Sequence, residues 1–287
     1  MNVSVISHCA MDRLHIGDST YEQAGGDACY SGLMAREFKS NVSIQTKFGD
    51  DFPKKYLQNA NIKHDASSSA LPTTRFKIVI DGLKRKMYLQ NQCEDIQVQN
   101  DSRDGIIISP IYHEITPDII KNQDGYILYN PQGLLRTTGE DNMIHTSPAT
   151  LDMTDVDALK VNPAEIQAIT GDDNEIEGMK RLQKMGARTV IRTNGKDIVM
   201  LDKTMLYTIE LPNKKIYDTT GLGAILCGSF LCTMLKEKDT LWALCFAGGA
   251  VQAALDSKAL GLAKIPKKGA IQTNASYFYN LVKYRQV

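Results

Sequence analysis

Short apolar runs alternate with helix-like segments along most of the chain. The runs predict strands at residues 3–7, 42–47, 105–109, 125–129, 158–161 and 189–193. Helical patterns are found at residues 28–38, 51–59, 116–121, 163–169 and 175–185, and then at 221–235, 240–255 and 271–283. Continuous apolar runs are typical of strands buried on both faces of a parallel sheet. The pattern therefore predicts an α/β fold, with helices on both faces of a mainly parallel sheet and a mostly helical last third.

One segment departs from this alternation. Residues 74–80 and 85–90 alternate apolar and polar positions, and Asp81-Gly82 lies between them as a strong hairpin signal. No helix pattern follows the first of these strands before the second begins. We therefore expect a small β lid outside the main sheet, and in such folds ligands bind beyond the carboxyl ends of the parallel strands.

Charge and length narrow the class of protein. The 287 residues contain 33 Lys and Arg against 33 Asp and Glu, so the formal net charge is zero. This balance removes the electrostatic case for general nucleic-acid or membrane-surface binding, so we expect neither partner. No apolar run reaches the roughly 18 residues of a membrane helix. The first twelve residues lack the basic region of a signal peptide.

The cysteines and histidines show no metal or disulfide pattern. Six cysteines occur without a CxxC pair, which favours small core residues in a reducing, cytoplasmic setting. The five histidines have no metal-ligand spacing, so we expect no transition metal held by the protein.

The most informative segment is the glycine loop, which we define as residues 218–224 (DTTGLGA). Gly221 and Gly223 lie where a polar turn enters an apolar helix. Their backbone N–H groups and the positive end of the helix would form an anion site that needs no net protein charge. A phosphoryl group in transfer would be stabilised there. The alternative is a plain glycine turn between strand and helix.

The glycine loop resembles the DTxGAGD signature of the ribokinase-like (PfkB) carbohydrate kinases. Further motifs of that family follow one another in the same order along nearly the whole chain, and several ordered motifs are more specific than one. They are Asp12 after the first strand, Gly25-Gly26-Asp27, the xGDD-like residues 47–51, residues 72–75 at the lid, the NxxE residues Asn162 to Glu165, and Thr193-Asn194-Gly195.

The resemblance implies a fold and an activity. The fold would be a three-layer sandwich in a single domain over residues 1–287, with a lid hairpin near 73–90 and N-terminal segments near 12–25. The activity would be transfer of a phosphoryl group from ATP, with Mg²⁺, to a hydroxyl of a sugar, a cyclitol such as inositol, or a nucleoside. Members of the family commonly dimerise through the lid.

The resemblance also implies roles for individual residues. The anion hole would be formed by Gly221, Leu222 and Gly223. The substrate would be bound by Asp12, Gly25, Gly26 and Asp27. The nucleotide and its phosphates would lie near Asn162, Glu165, Thr193, Asn194 and Gly195, with Asn274 at the adenine. Glu165 would reach Mg²⁺ through water.

Two more substrate residues are suggested by residues 130–136 (NPQGLLR), which resemble a family stretch beside the cleft. Gln132 would contact a substrate hydroxyl, and Arg136 would contact phosphate or substrate. The alternative is a Pro-Gly turn with a solvated Arg136. Arg75 would likewise approach the substrate or form a salt bridge across the lid, and residues 84–86 form a basic run typical of a solvated strand edge.

One departure from the family concerns the reaction itself. The last residue of the signature is an Asp that acts as general base, and here it is Ala224. Alanine has no proton acceptor, so the resemblance implies a catalytically impaired chain. Three explanations are open: an engineered inactive variant, which we favour because the surrounding motifs are intact; a natural pseudokinase that binds a nucleotide or sugar; or another carboxylate as base.

Overall fold

The main sheet of the protein is mixed and nine-stranded within the described residues. The computed structural model describes residues 1–65, 67–81, 84–100, 102–212, 218–257 and 259–287. In spatial order the strands are β4 (Asn41–Gln45), β1 (Asn2–Ile6), β7 (Ser102–Ile108), β8 (Asp124–Tyr129), β11 (Ala158–Val161), β12 (Thr189–Thr193), β13 (Asp197–Asp202), β14 (Met205–Glu210) and β15 (Lys283–Gln286). From β4 to β12 the neighbours are parallel, and from β12 to β15 they are antiparallel.

Helices cover both faces of this sheet. One face packs against α1 (Asp27–Glu37), α5 (Leu222–Glu237), α6 (Thr240–Asp256) and α7 (Lys268–Leu281), and the other against α3 (Pro163–Thr170) and α4 (Glu175–Lys184). A strand points successive side chains to opposite faces. Ile107 accordingly belongs to the first core, whereas Ile106 and Ile108 belong to the second. The predicted three-layer α/β architecture is confirmed.

A separate four-stranded sheet forms the lid. Its order is β3 (Ser19–Gly25), β2 (Ala10–Ile16), β5 (Thr74–Asp81) and β6 (Lys84–Asn91). β2 and β5 are parallel, while the outer pairs are antiparallel. Gly82 of the predicted hairpin turn lies outside the described residues. Beside the lid lies the small hairpin of β9 (Arg136–Thr138) and β10 (Ile144–Thr146).

Some element predictions need correction. The helix expected at 51–59 is confined to α2 (Lys55–Asn59), because Asp51 instead accepts the N–H and hydroxyl of Thr73. The segment expected as a helix at 116–121 is the 3₁₀ helix Pro117–Asn122. Further 3₁₀ helices are Pro131–Leu135 and Gly261–Lys264. The sequence pattern missed β2, β3, β9, β10 and β13–β15, so the chain carries more strand than expected.

All six cysteines are free and buried, as the sequence predicts. Among the described residues, none of the helices combines the length and apolarity needed to cross a bilayer.

Candidate active site

A cavity of about 570 Å³ lies where the lid meets the carboxyl ends of the parallel strands. Residues from the lid, the strand ends and the glycine loop line it together. Ten of the predicted site residues take part, namely Asp12, Gly26, Asp27, Gln132, Arg136, Asn162, Glu165, Thr193, Gly221 and Gly223, and Ala224 lies beside them. This is the location expected for a ligand in an open α/β sheet.

The glycine loop presents backbone N–H groups at the start of α5. Gly221 has φ +76° and immediately precedes α5. A Cβ atom at Gly221 would lie 2.5 Å from the ring of Tyr30, so only glycine fits. The Leu222 N–H donates to the Thr219 carbonyl at 3.3 Å. Within the described residues, the N–H groups of Gly223 and Ala224 have no recorded acceptor, and they belong to the positive end of the helix.

Lys160 lies directly opposite this loop and was missed by the sequence analysis. It is on β11, its side chain lines the cavity, and the residue is only 5% exposed. Its Nζ lies 3.3 Å from the position that a Cβ of Gly223 would occupy. No hydrogen bond or ion pair is recorded for Lys160 within the described part of the chain, so its charge is available to an anion. A charged residue inside a strand buried on both faces was the available signal.

Ala224 is the third residue of α5, lines the cavity and is 1% exposed. Its carbonyl accepts the Ser31 hydroxyl at 3.0 Å. A carboxylate at this position would enter the cavity next to the glycine loop. Asp218 does not offer one instead, because its oxygens accept the Thr220 N–H at 2.8 Å and the Lys264 ammonium at 2.7 Å.

Asp27 organises the other side of the cavity. Its Oδ2 accepts hydrogen bonds from Ser109 Oγ at 2.5 Å, Asn130 Nδ2 at 3.1 Å and Gln132 Nε2 at 2.7 Å. Burial raises the pKa of Asp27, and the Ser109 hydrogen bond opposes that rise. Three donors on one oxygen fix the orientation of the carboxylate, and all three of them bind Oδ2 rather than Oδ1.

Asp12 is the second buried carboxylate of the cavity. Burial raises its pKa to about 7, and the charge of Arg85 works against that rise. Gly25 does not line the cavity. It packs against Asp12, because a Cβ at Gly25 would lie 2.3 Å from Asp12 Oδ2. Gly26 has φ +82° and lies on the backbone of residues 8–10. Its absent side chain lets α1 start beside the lid.

Arg136 is half-buried and hydrogen-bonded, so the alternative of a solvated arginine is wrong. Its guanidinium donates to the Ile111 carbonyl at 2.6 Å and to Gln132 Oε1 at 3.0 Å. Burial lowers the pKa of Arg136, and the Asp27 carboxylate counteracts this. Arg136 therefore orients Gln132, which in turn donates to Asp27.

Asn162 and Glu165 form a capping box at the start of α3. Glu165 Oε2 accepts the Asn162 N–H at 2.8 Å, and Asn162 Oδ1 accepts the Glu165 N–H at 2.9 Å. Both residues line the cavity, and Glu165 Oε1 has no recorded donor among the described residues. No group of three or more His, Cys, Asp or Glu side chains that could hold a metal is found in the described ranges. One free carboxylate oxygen fits Mg²⁺, which usually keeps several waters and binds phosphates.

Five predicted site residues lie outside the cavity lining: Gly25, described above, and the four that follow. Leu222 packs against the core, and Asn194 Oδ1 accepts the N–H groups of the two residues after Gly195. Gly195 has φ +84° in that turn. Asn274 donates to the Gly249 carbonyl at 3.2 Å, which ties α7 to α6. Of the predicted nucleotide residues, the structure thus brings only Asn162, Glu165 and Thr193 to the cavity.

The basic residues of the lid divide into two groups. Arg75 forms ion pairs with Glu22 at 2.8 Å and Asp51 at 3.2 Å, which is the salt-bridge alternative. Arg85 and Lys86 are exposed on β6, an outer strand of the lid sheet, as expected of a solvated strand edge, and they also line the cavity.

Comparisons with known proteins agree with this geometry. Residues 132–267 match the sequence model of the pfkB family of carbohydrate kinases. A cytidine kinase of Thermococcus kodakarensis is 26% identical over 248 residues, which cover 80% of this chain and 87% of the relative.

Solved structures show the fold. A pyrophosphate-dependent kinase of the ribokinase family, complexed with a pyrophosphate analog and myo-inositol, superposes with a TM-score of 0.79 at 16% identity, over 94% of this chain and 99% of that one. Ribokinase from Thermotoga maritima has a TM-score of 0.76 at 16% identity, over 96% and 99%. The chain has the ribokinase fold, and its residues 132–267 are similar to the pfkB carbohydrate kinases.

Proposed function

We propose that this protein binds ATP and a small polyhydroxy acceptor for phosphoryl transfer, with a nucleoside as the favoured acceptor. The observation that carries the proposal is the pairing, across one cavity, of an anion site with two buried carboxylates. The glycine loop and Lys160 form the first, and Asp12 and Asp27 form the second. A phosphate and a hydroxyl would meet between them.

On the donor side, the chain supplies positive potential without net charge. The N–H groups of Gly223 and Ala224 and the Lys160 ammonium would bind the phosphoryl oxygens. Preorganised donors of this kind stabilise the charge that develops in transfer. Glu165 and Asn162 would hold Mg²⁺ through water, and the metal would neutralise part of the phosphate charge.

On the acceptor side, polar groups lie next to an apolar surface. Asp12, Asp27 and Gln132 suit hydroxyl groups. Phe76 and Ile78 of the lid and Ile111 line the same cavity and suit a nucleobase. A sugar or cyclitol would use the polar groups alone. The cytidine kinase relative supports the nucleoside choice, and the myo-inositol complex of a structural neighbour keeps the cyclitol in the test.

The chain has no carboxylate at the position of the general base. We therefore expect Ala224→Asp to raise the phosphorylation rate by about 10²–10⁴-fold. The assay is a screen of nucleosides, sugars and cyclitols with Mg-ATP, with Ala224→Asn as the control of equal size that cannot accept the proton in the same way. Absence of phosphorylation of every acceptor by the Asp variant would contradict the kinase proposal.

A second candidate is a binding protein that does not catalyse. The presence of Ala224 in an otherwise intact cavity favours it. Calorimetric titration of the unmodified chain with nucleosides, with and without Mg-ATP, measures binding directly. Tight binding together with an inactive Ala224→Asp variant would support this candidate, and an active variant would support the kinase. The residue at position 224 of the natural gene separates an engineered change from a natural one.

A further inference from the structure

A buried ion pair lies beneath the glycine loop and outside the cavity lining. Lys264 Nζ donates to Asp218 Oδ2 at 2.7 Å and to the Asp218 carbonyl at 3.2 Å. Both side chains are only 1% exposed. Replacing such a pair by apolar residues is often neutral or stabilising, so its presence calls for a role other than stability.

The contacts of Asp218 show that it holds the loop. Its Oδ1 accepts the Thr220 N–H at 2.8 Å, and its Oδ2 also accepts the Gly261 N–H at 3.3 Å. Asp218 therefore connects the start of the glycine loop to the 3₁₀ helix Gly261–Lys264. The Lys264 ammonium lies 5.8 Å from the centre of the Tyr30 ring, and that ring packs against Gly221.

The negative charge of Asp218 would be unfavourable for an anion at the loop, and the Lys264 ammonium neutralises it. Asp218 is three residues before Gly221, so an unpaired carboxylate there would repel an anion bound at the loop. Burial would raise the pKa of Asp218, but the Lys264 ammonium holds it below its usual value. The carboxylate is thus ionised and able to accept its hydrogen bonds, and its charge is cancelled by its neighbour.

We propose that Lys264 is a positioning residue, which fixes the glycine loop through Asp218 and cancels the charge of the carboxylate that holds it. This role rests on the proposed phosphate binding at the loop. It places no part of Lys264 on the ligand, because the side chain lies outside the cavity lining.

Titration with inorganic pyrophosphate tests the proposal on the unmodified chain and three variants. Lys264→Met leaves Asp218 buried and unpaired, and we expect the affinity of this variant for pyrophosphate to fall by at least about tenfold. Asp218→Asn/Lys264→Met removes both charges, and we expect affinity within about threefold of the parent. Lys267→Met removes an exposed lysine paired with Glu37 and is the matched control, with no expected change.

The pattern across the variants decides the outcome. Parental affinity in Lys264→Met overturns the proposal, and so does a double variant as weak as the single one. A merely structural role would give no recovery in the double variant. If the single variant does not fold, a folded double variant with parental affinity supports the proposal and one with weak affinity overturns it.

Hydrogen exchange of the amides at 219–224 gives a readout that needs no ligand. We expect faster exchange in Lys264→Met and unchanged exchange in Lys267→Met. Parental exchange in Lys264→Met overturns the positioning role. If the parent chain does not bind pyrophosphate, the proposed function is contradicted at this site, and the exchange experiment still decides the role of Lys264.

Discussion

Gly221 offers a sharp test of the claim that the glycine loop is built around one backbone conformation. The change is Gly221→Ala, and Gly171→Ala is its matched control. Both glycines have φ +76°, but nothing lies within 4 Å of a Cβ at Gly171, whereas a Cβ at Gly221 would lie 2.5 Å from the Tyr30 ring. The difference between the two variants therefore isolates the contact with Tyr30.

The magnitude follows from these two terms. A left-handed alanine costs about 1–2 kcal/mol relative to glycine, and both variants carry that cost. Overpacking a filled site adds about 1–3 kcal/mol, and only Gly221→Ala carries it because Tyr30 is buried and cannot move freely. We expect the free energy of unfolding to fall by about 1–2 kcal/mol in Gly171→Ala and about 2–5 kcal/mol in Gly221→Ala.

Urea unfolding followed by circular dichroism measures both changes, and pyrophosphate titration measures the site. We expect Gly221→Ala to weaken pyrophosphate binding and Gly171→Ala to leave it unchanged. Adding Tyr30→Leu to Gly221→Ala should recover part of the lost stability, because the two residues are in contact. Equal losses of stability in the two alanine variants, or parental binding in Gly221→Ala, would refute the reasoning.

Three further changes test the remaining parts of the site. The pKa of Asp12 is raised to about 7 in the folded state from 3.8, so its contribution to stability is present below pH 3.8 and is lost as the pH rises through 7. The melting temperature should therefore fall less between pH 5 and pH 8 in Asp12→Asn than in the parent. Equal changes of melting temperature in the two proteins would count against the burial of Asp12 as the cause of the raised pKa. Lys160→Met should weaken pyrophosphate binding by about 10-fold or more without lowering acceptor affinity, as measured by calorimetry, and Lys196→Met, outside the cavity lining, is its control. Asp27→Asn should lower the affinity for the acceptor in the same titration while leaving the affinity for pyrophosphate unchanged. A loss of both affinities would contradict the assignment of Asp27 to the acceptor side of the cavity.

The main sheet and the lid could be predicted because their signals are local. Residues 105–109 and 125–129 are short apolar runs, and residues 74–90 alternate around a turn. The sequence analysis missed β13, whose four central residues are all buried, and β14, whose burial pattern alternates only in part. Their antiparallel pairing follows from tertiary contacts with β12 and β15, which the local pattern does not encode.

Site residues that belong to a sequence motif could be predicted, whereas site residues that are defined only by their packing in the fold could not. Asp12, Asp27 and Glu165 come from motifs, and the structure brings all three to the cavity. Lys160 and Lys264 belong to none of the quoted motifs, and their roles follow from burial and from the atoms around their ammonium groups. The resemblance implied Asn274 at the adenine, and in the structure its side chain links α7 to α6.

The order in which the cavity residues occur along the chain has a consequence for biosynthesis. All four lid strands and the cavity carboxylates Asp12 and Asp27 lie within residues 1–91, whereas the glycine loop begins at Asp218. At about 5–20 residues per second, ribosomes need roughly 6–25 s to make the intervening chain. The part of the cavity formed by the lid, Asp12 and Asp27 is thus synthesised well before the glycine loop, and a nascent chain arrested before residue 218 would contain these two carboxylates without that loop.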